Sequence, residues 1–146
     1  LLFDVEARAE IMDAFGVFIR EKNIDTIAGV DARGFVLGGM LAEKFWLPFV
    51  MIRKDGKLPD ALVAKESYSY EYSSATLAIR KDILSRHKVL VIDDVLATGG
   101  TLWAALSLAK NNGASEVFAG VLIELKWLSG REKLAQYEIF SAIQFD

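Results

Sequence analysis

The sequence predicts an α/β domain built on an open, mostly parallel sheet, and three observations carry that prediction. Short continuous apolar runs, Val89 to Ile92 above all, have the character of strands buried on both faces of a sheet. These runs alternate with segments of helical period in the order β-α-β-(hairpin)-β-α-β-β, as parallel strands with crossover helices require. The Val89–Ile92 run then leads through Asp93 and Asp94 into a turn of Thr98, Gly99, Gly100 and Thr101 before a helix. Open α/β sheets hold their ligands beyond the carboxyl ends of the strands, where such a loop feeds a helix.

From Asp4 to Lys22, Ile11, Met12, Phe15, Phe18 and Ile19 recur at three- and four-residue spacing, the buried face of an amphipathic helix. A short strand, Thr26 to Val30, leads into Asp31-Ala32-Arg33-Gly34-Phe35, and a helix is expected from about Val36 to Phe45. The next strand runs from Phe49 to Ile52. Arg53 to Glu66 has no clean period. Ser67 to Tyr72 and Ala75 to Ile79 alternate as two strands joined across Ser73-Ser74, read as a projecting β-hairpin flap. After the strand at Val89, a helix from about Leu102 to Asn112 closes at Gly113. A buried strand from Val117 to Glu124, a loop with one helical turn to Lys133, and a last strand from Tyr137 to Phe145 complete the chain.

The composition fits one soluble domain over residues 1–146, with 53% apolar and 25% charged residues. A net charge of −3 argues against a nucleic-acid surface, which needs a basic face. There is no cysteine, hence no disulfide framework or thiolate chemistry, and no eighteen-residue apolar run to span a membrane. A cytoplasmic location is expected. The first residues lack a basic leader, and the chain opens on Leu1 rather than Met, as a piece of a longer gene product would. His87 reads as a surface residue, and Trp46, Trp103 and Trp127 as core or interface aromatics.

The Thr/Gly turn has the features of a phosphate cradle: glycines admit backbone N–H groups, hydroxyls add donors, and a helix N-terminus favours negative charge. No Lys-Ser or Lys-Thr follows the glycines, so it is not a P-loop, and no G-x-G-x-x-G supports a dinucleotide fold. The thirteen positions from Val89 to Thr101 resemble the 5-phosphoribosyl-1-pyrophosphate (PRPP) signature of the type I phosphoribosyltransferases. Asp31-Ala32-Arg33-Gly34-Phe35, sixty residues before the acids, resembles the pyrophosphate loop of that family's adenine-specific branch. Ile52-Arg53-Lys54-Asp55-Gly56-Lys57-Leu58-Pro59, the Tyr70-Glu71-Tyr72 stretch and Gly130 to Leu134 (G-R-E-K-L) resemble it as well.

The resemblance implies an open parallel sheet with a flexible hairpin flap, and a reaction: transfer of a phosphoribosyl group from PRPP to N9 of adenine, giving AMP and pyrophosphate. Asp93 and Asp94 would take the ribose 2′- and 3′-hydroxyls, and the loop Ala97, Thr98, Gly99, Gly100 and Thr101 the 5′-phosphate. Ala32, Arg33 and Gly34, with Arg53 and Lys57, would bind pyrophosphate, Lys54 counting for less. Glu71, on the flap with Tyr70 and Tyr72, is the candidate general acid/base near the purine, and Arg33 the second catalytic candidate. Mg²⁺ would arrive bound to PRPP, close to Asp93. Ala97 favours adenine, since oxopurine-using relatives usually carry an Asp there. A homodimer is implied, with Gly38, Gly39, Met40 and Leu41 offered to the partner.

The family also carries an N-terminal hood that supplies much of the adenine contact, and this chain starts at about the helix after it. Base preference therefore rests on the loops. Two rivals stay open: another purine base (xanthine, hypoxanthine or guanine), and a PRPP-binding regulator without chemistry. Adjacent residues of an extended strand alternate sides, so Asp93 and Asp94 are expected to point apart.

Overall fold

The computed structural model describes residues 4–56, 63–70 and 73–146. Helix α1 (Val5–Lys22) opens on Asp4, whose carboxylate accepts the Ala7 N–H at 3.0 Å, and stops where Asn23 turns left-handed. Strand β1 (Thr26–Val30) is buried throughout. Helix α2 (Arg33–Phe45) begins at Arg33 rather than near Val36, so Arg33 and Gly34 lie in its first turn. The early start leaves no trace in the sequence, because its N-cap is Ala32 and no side chain caps it.

Strand β2 (Phe49–Lys54) continues past Ile52 and carries Arg53 and Lys54 to its end. Strands β3 (Val63–Tyr70) and β4 (Ser73–Arg80) pair antiparallel from Val63↔Arg80 to Tyr70↔Ser73. Ser73 and Ser74 therefore belong to β4 and not to a turn. Strand β5 (Lys88–Leu96), helix α3 (Gly100–Asn111), strand β6 (Glu116–Leu125), a 3-10 turn (Lys126–Leu128), the short helix α4 (Gly130–Lys133) and strand β7 (Ile139–Phe145) follow.

The seven strands form one sheet in the order β3-β4-β2-β1-β5-β6-β7. β1, β2, β5, β6 and β7 run parallel. The hairpin does not simply project. β4 joins β2 antiparallel at Arg53↔Ala78 and Lys54↔Leu77, and Leu77, Ala78 and Ile79 are buried in the core. An apolar base fastened to the sheet was hidden in the sequence by the serines and tyrosines of the distal part.

Strand alternation sorts the core into two layers. Ala28, Val30, Val89, Val91 and Val121 face α3, packing with its Leu102 and Leu106 and with Leu77 of β4. Ile27, Leu90 and Ile92 face α1 and α2, meeting Phe15, Phe18, Leu37 and Leu41. Phe15 is fully buried, its ring edge-on to Phe140 at 4.6 Å between centroids. It fits because position 120 is glycine: a Cβ there would stand 2.8 Å from the Phe15 ring.

Several surface expectations change. Of the two places expected for the tryptophans, core or interface, exposure removes the core for Trp46 and Trp127, while Trp103 is partly buried beside the α3 layer. Leu41 and Gly38 face the core, whereas Gly39 has open space outside it. His87 sits before β5, at the sheet edge opposite the strand C-termini, with Nδ1 2.8 Å from Asp25 Oδ1. Replacing Phe15→Ala is expected to cost about 3–5 kcal/mol in urea unfolding, because a full aromatic side chain leaves a cavity between α1 and the sheet. A loss under about 1 kcal/mol would contradict this packing.

Candidate active site

The carboxyl ends of β1, β2 and β5 open on a cleft of about 590 Å³, lined by the Asp31–Arg33 segment, Lys54, Asp93 to Val95 and Ala97 to Leu102. β5 carries its acids inside the strand rather than after it. Its pairing with β6 runs through Asp93↔Val121 and resumes at Val95↔Ile123, with no rung at Asp94. The two acids, expected to point apart, nonetheless interact. Asp94 turns to α2 and forms an ion pair with the Arg33 guanidinium, while Asp93 Oδ1 accepts the Asp94 N–H at 2.9 Å. Burial, and then the negative charge of Asp94, pushes the Asp93 carboxyl up to about 7.

Two glycines make the Arg33–Asp94 contact possible. A Cβ on Gly34 would lie 2.5 Å from Ile92 O, and one on Gly29 2.8 Å from Gly34 O. The first turn of α2 can thus rest on the end of β5. The peptide between Asp31 and Ala32 is cis, and Asp31 accepts the Lys54 N–H at 3.3 Å.

On the other side of the acids, Gly99 has φ 82° and leads into α3, with no side chain capping its first turn. The intrahelical bonds start with Trp103 N–H to Gly99 O, at 2.8 Å. The amides of Gly100, Thr101 and Leu102 therefore have no partner within the helix and sit at its positive end, beside the Thr98 and Thr101 hydroxyls. That is a cradle for a dianionic phosphate.

Of the residues expected at pyrophosphate, Ala32 and Arg33 line the cleft, and Gly34 is buried under it. Arg53 does not line it: its Nε is buried without a hydrogen-bond partner. Lys54, given less weight in the sequence, lines it instead. The signal was available, since Lys54 falls on the same strand face as Val50 and Ile52 once β2 is extended by two residues. Asp31, Val95 and Leu102 also line the cleft without having been singled out. Lys57, Glu71, Tyr72 and the Tyr70 side chain lie outside the described residues.

Because Asp93 holds its proton more tightly folded than unfolded, it contributes stability below its ordinary 3.8 and loses it as pH rises through about 7. Asp93→Asn should therefore melt above the wild type at pH 8, with the gain shrinking steadily toward pH 5. The gap between 3.8 and about 7 bounds this gain at about 4 kcal/mol. Melting curves at the two pH values check it; a difference independent of pH would contradict the buried carboxyl.

Comparison with known proteins agrees with this geometry. The model of the phosphoribosyl transferase domain family matches residues 4–143. The adenine phosphoribosyltransferase of Clostridium novyi is 40% identical over all of this chain and 85% of its own length. That of Desulfitobacterium hafniense is 42% identical over 99% of the chain and 84% of its own length. Among solved structures, adenine phosphoribosyltransferase from Thermoanaerobacter pseudethanolicus superposes with a TM-score of 0.90 at 38% identity, covering 99% of this chain and 84% of that one. The Giardia lamblia enzyme complexed with 9-deazaadenine gives 0.88 at 36% identity, covering 95% and 80%. The family match, the identity over nearly the whole chain and the close superposition together show that the chain belongs to the adenine phosphoribosyltransferases of the phosphoribosyl transferase family.

Proposed function

We infer that this protein is a purine-salvage enzyme that transfers the phosphoribosyl group of PRPP to N9 of adenine, releasing AMP and pyrophosphate. One observation carries the reading: Asp93, Asp94, Arg33 and the Thr98–Thr101 turn meet in a single cleft. The three charges or so of a pyrophosphate and the two of a 5′-phosphate need separate electropositive partners. Arg33 with the Ala32 and Gly34 backbone serves the first, and the start of α3 the second.

The acids between them fit a ribose. Asp93 and Asp94 accept hydrogen bonds from its 2′- and 3′-hydroxyls and so fix C1′ between the leaving group and the base. Entry of the ribose draws Asp94 from Arg33, and the freed guanidinium turns to the pyrophosphate. The C1′–O bond then breaks with its electron pair leaving on pyrophosphate, N9 bonds to C1′, and the purine gives up a proton. Glu71 is the acceptor proposed for that proton, and Lys57 a further cation for pyrophosphate. Positioning and charge complementarity supply most of the acceleration, with the cleft's carboxylates engaged on the ribose rather than on C1′.

Mg²⁺ enters with PRPP as part of the substrate. Asp93 and Asp94 offer the hard oxygen donors this ion favours. The phosphate oxygens of PRPP would supply the rest of its donors. Residues 1–146 act as one catalytic domain in the cytoplasm, where adenine and PRPP are formed. The homodimer reading is supported by the outer face of α2, where Val36 is exposed and Gly39 opens on free space, and by exposed Met51 on β2.

The reaction is tested by following PRPP-dependent release of pyrophosphate with adenine, hypoxanthine, guanine and xanthine. Adenine is expected to exceed each oxopurine at least a hundredfold in kcat/KM. Preference for an oxopurine would overturn the choice of base, and PRPP binding without turnover would favour a regulator. Arg33→Ala should lower kcat/KM for PRPP by about 10²–10³-fold, the usual loss on removing one group that stabilises developing charge.

A further inference from the structure

The G-R-E-K-L stretch at the start of α4 is the one conspicuous motif for which the reaction above has no use. We propose that Arg131 and Glu124 are positioning residues, a buttress that presses Gly130 against the back of the phosphate loop and holds its amides in register. The proposal rests on the reading of that loop as the 5′-phosphate holder.

Two glycines bring the segments into direct backbone contact. A Cβ on Gly99 would stand 2.8 Å from Gly130 O, and φ 82° at Gly99 disfavours a side chain in any case. Reciprocally, a Cβ on Gly130 would collide with Ala97 O and lie 3.0 Å from Gly99 N. The loop that would bind phosphate on one side thus rests on Gly130 on the other.

The next residue fixes Gly130 in place. Arg131 forks onto Glu124, with Nε to Oε1 at 2.8 Å and an Nη to Oε2 at 2.5 Å. The same guanidinium donates to Ser141 Oγ at 3.0 Å and to Ile139 O at 3.3 Å. Glu124 Oε2 also accepts from Ser141 Oγ at 2.6 Å and Gln144 Nε2 at 3.1 Å. Its side chain is only 4% exposed. Four side-chain donors already occupy the carboxylate, so it has little capacity left for a substrate. Its role is mechanical.

The place of this network matters as much as its strength. Glu124 shares a rung with Leu96, the last residue of β5 before the loop, and with Gln144 on β7. One continuous path therefore runs from β7 through Glu124 and Arg131 to Gly130 and the loop backbone. Arg33 sits across the cleft, and among the described residues neither it nor the two acids hydrogen-bond to this network. Loosening the buttress should blur the 5′-phosphate amides while leaving the pyrophosphate side unaffected.

Calorimetric titration of the full chain with ribose 5-phosphate, and separately with magnesium pyrophosphate, tests this below each variant's melting temperature. Arg131→Met should weaken ribose 5-phosphate at least tenfold and pyrophosphate less than twofold. Arg131→Lys, which keeps the charge but not the fork, should fall between. Gly130→Ala, which pushes the loop directly, should repeat the selective loss, and Gln144→Leu offers a milder removal of one donor should Arg131→Met not fold. Lys126→Met, breaking the neighbouring Lys126–Asp146 pair at 2.8 Å, should change neither affinity. Equal weakening of both ligands, or no change in either, would overturn the buttress. Failure of the wild type to bind ribose 5-phosphate would overturn the loop reading and the buttress with it.

Discussion

Strand β5 is hemmed in on every side, and the rest of the molecule follows from that. β1 and β6 pair with its two edges, α3 covers one face, and α1 and α2 cover the other. Val89, Leu90, Val91 and Ile92 have no exposed surface at all. A strand so confined has one place for polar residues, its carboxyl end, where the covering helices diverge. Asp93 and Asp94 stand there, and the chain must then turn directly into α3. The site is thus a consequence of topology: the central strand delivers the acids, and the crossover after it delivers the uncapped helix start.

Charge is distributed so that neither acid is simply solvated. Asp94 is held by Arg33, while Asp93 lies under the pair with its ionisation suppressed by burial. A carboxyl that is reluctant to ionise when empty gains most from a ligand rich in hydroxyl donors or accompanied by a cation. The raised pKa is therefore a cost of the unliganded state, one that a sugar phosphate at the proposed site would offset. Gly29, Gly34, Gly99 and Gly130 each accept a backbone approach that a side chain would block. They allow three separate segments to close around one short stretch of β5.

Much of this was legible in the residues themselves. The apolar runs and their order specify the class of fold, and the Asp-Asp and Thr/Gly stretch identifies the binding end of the sheet. What was not legible depended on tertiary contact. The start of α2 at Arg33 has no capping side chain to announce it. The pairing of β4 with β2 rests on Leu77, Ala78 and Ile79, which look like half of a free hairpin until the sheet is assembled. Alternation placed Asp93 and Asp94 apart, and the bond from the Asp94 N–H to the Asp93 carboxylate has no signal in the spacing. The exchange of Arg53 for Lys54 at the cleft came from ending β2 too early. The close approach of Gly99 to Gly130, thirty-one positions apart in sequence, has no local signal.

The account stands or falls on what occupies the cleft. A crystal structure of the full protein soaked with AMP measures it directly. It should show the 5′-phosphate on the Thr98–Thr101 amides and both ribose hydroxyls on Asp93 and Asp94, with Arg33 released from Asp94. AMP bound elsewhere, or its phosphate seated on Arg33 with the Thr/Gly turn empty, would contradict it.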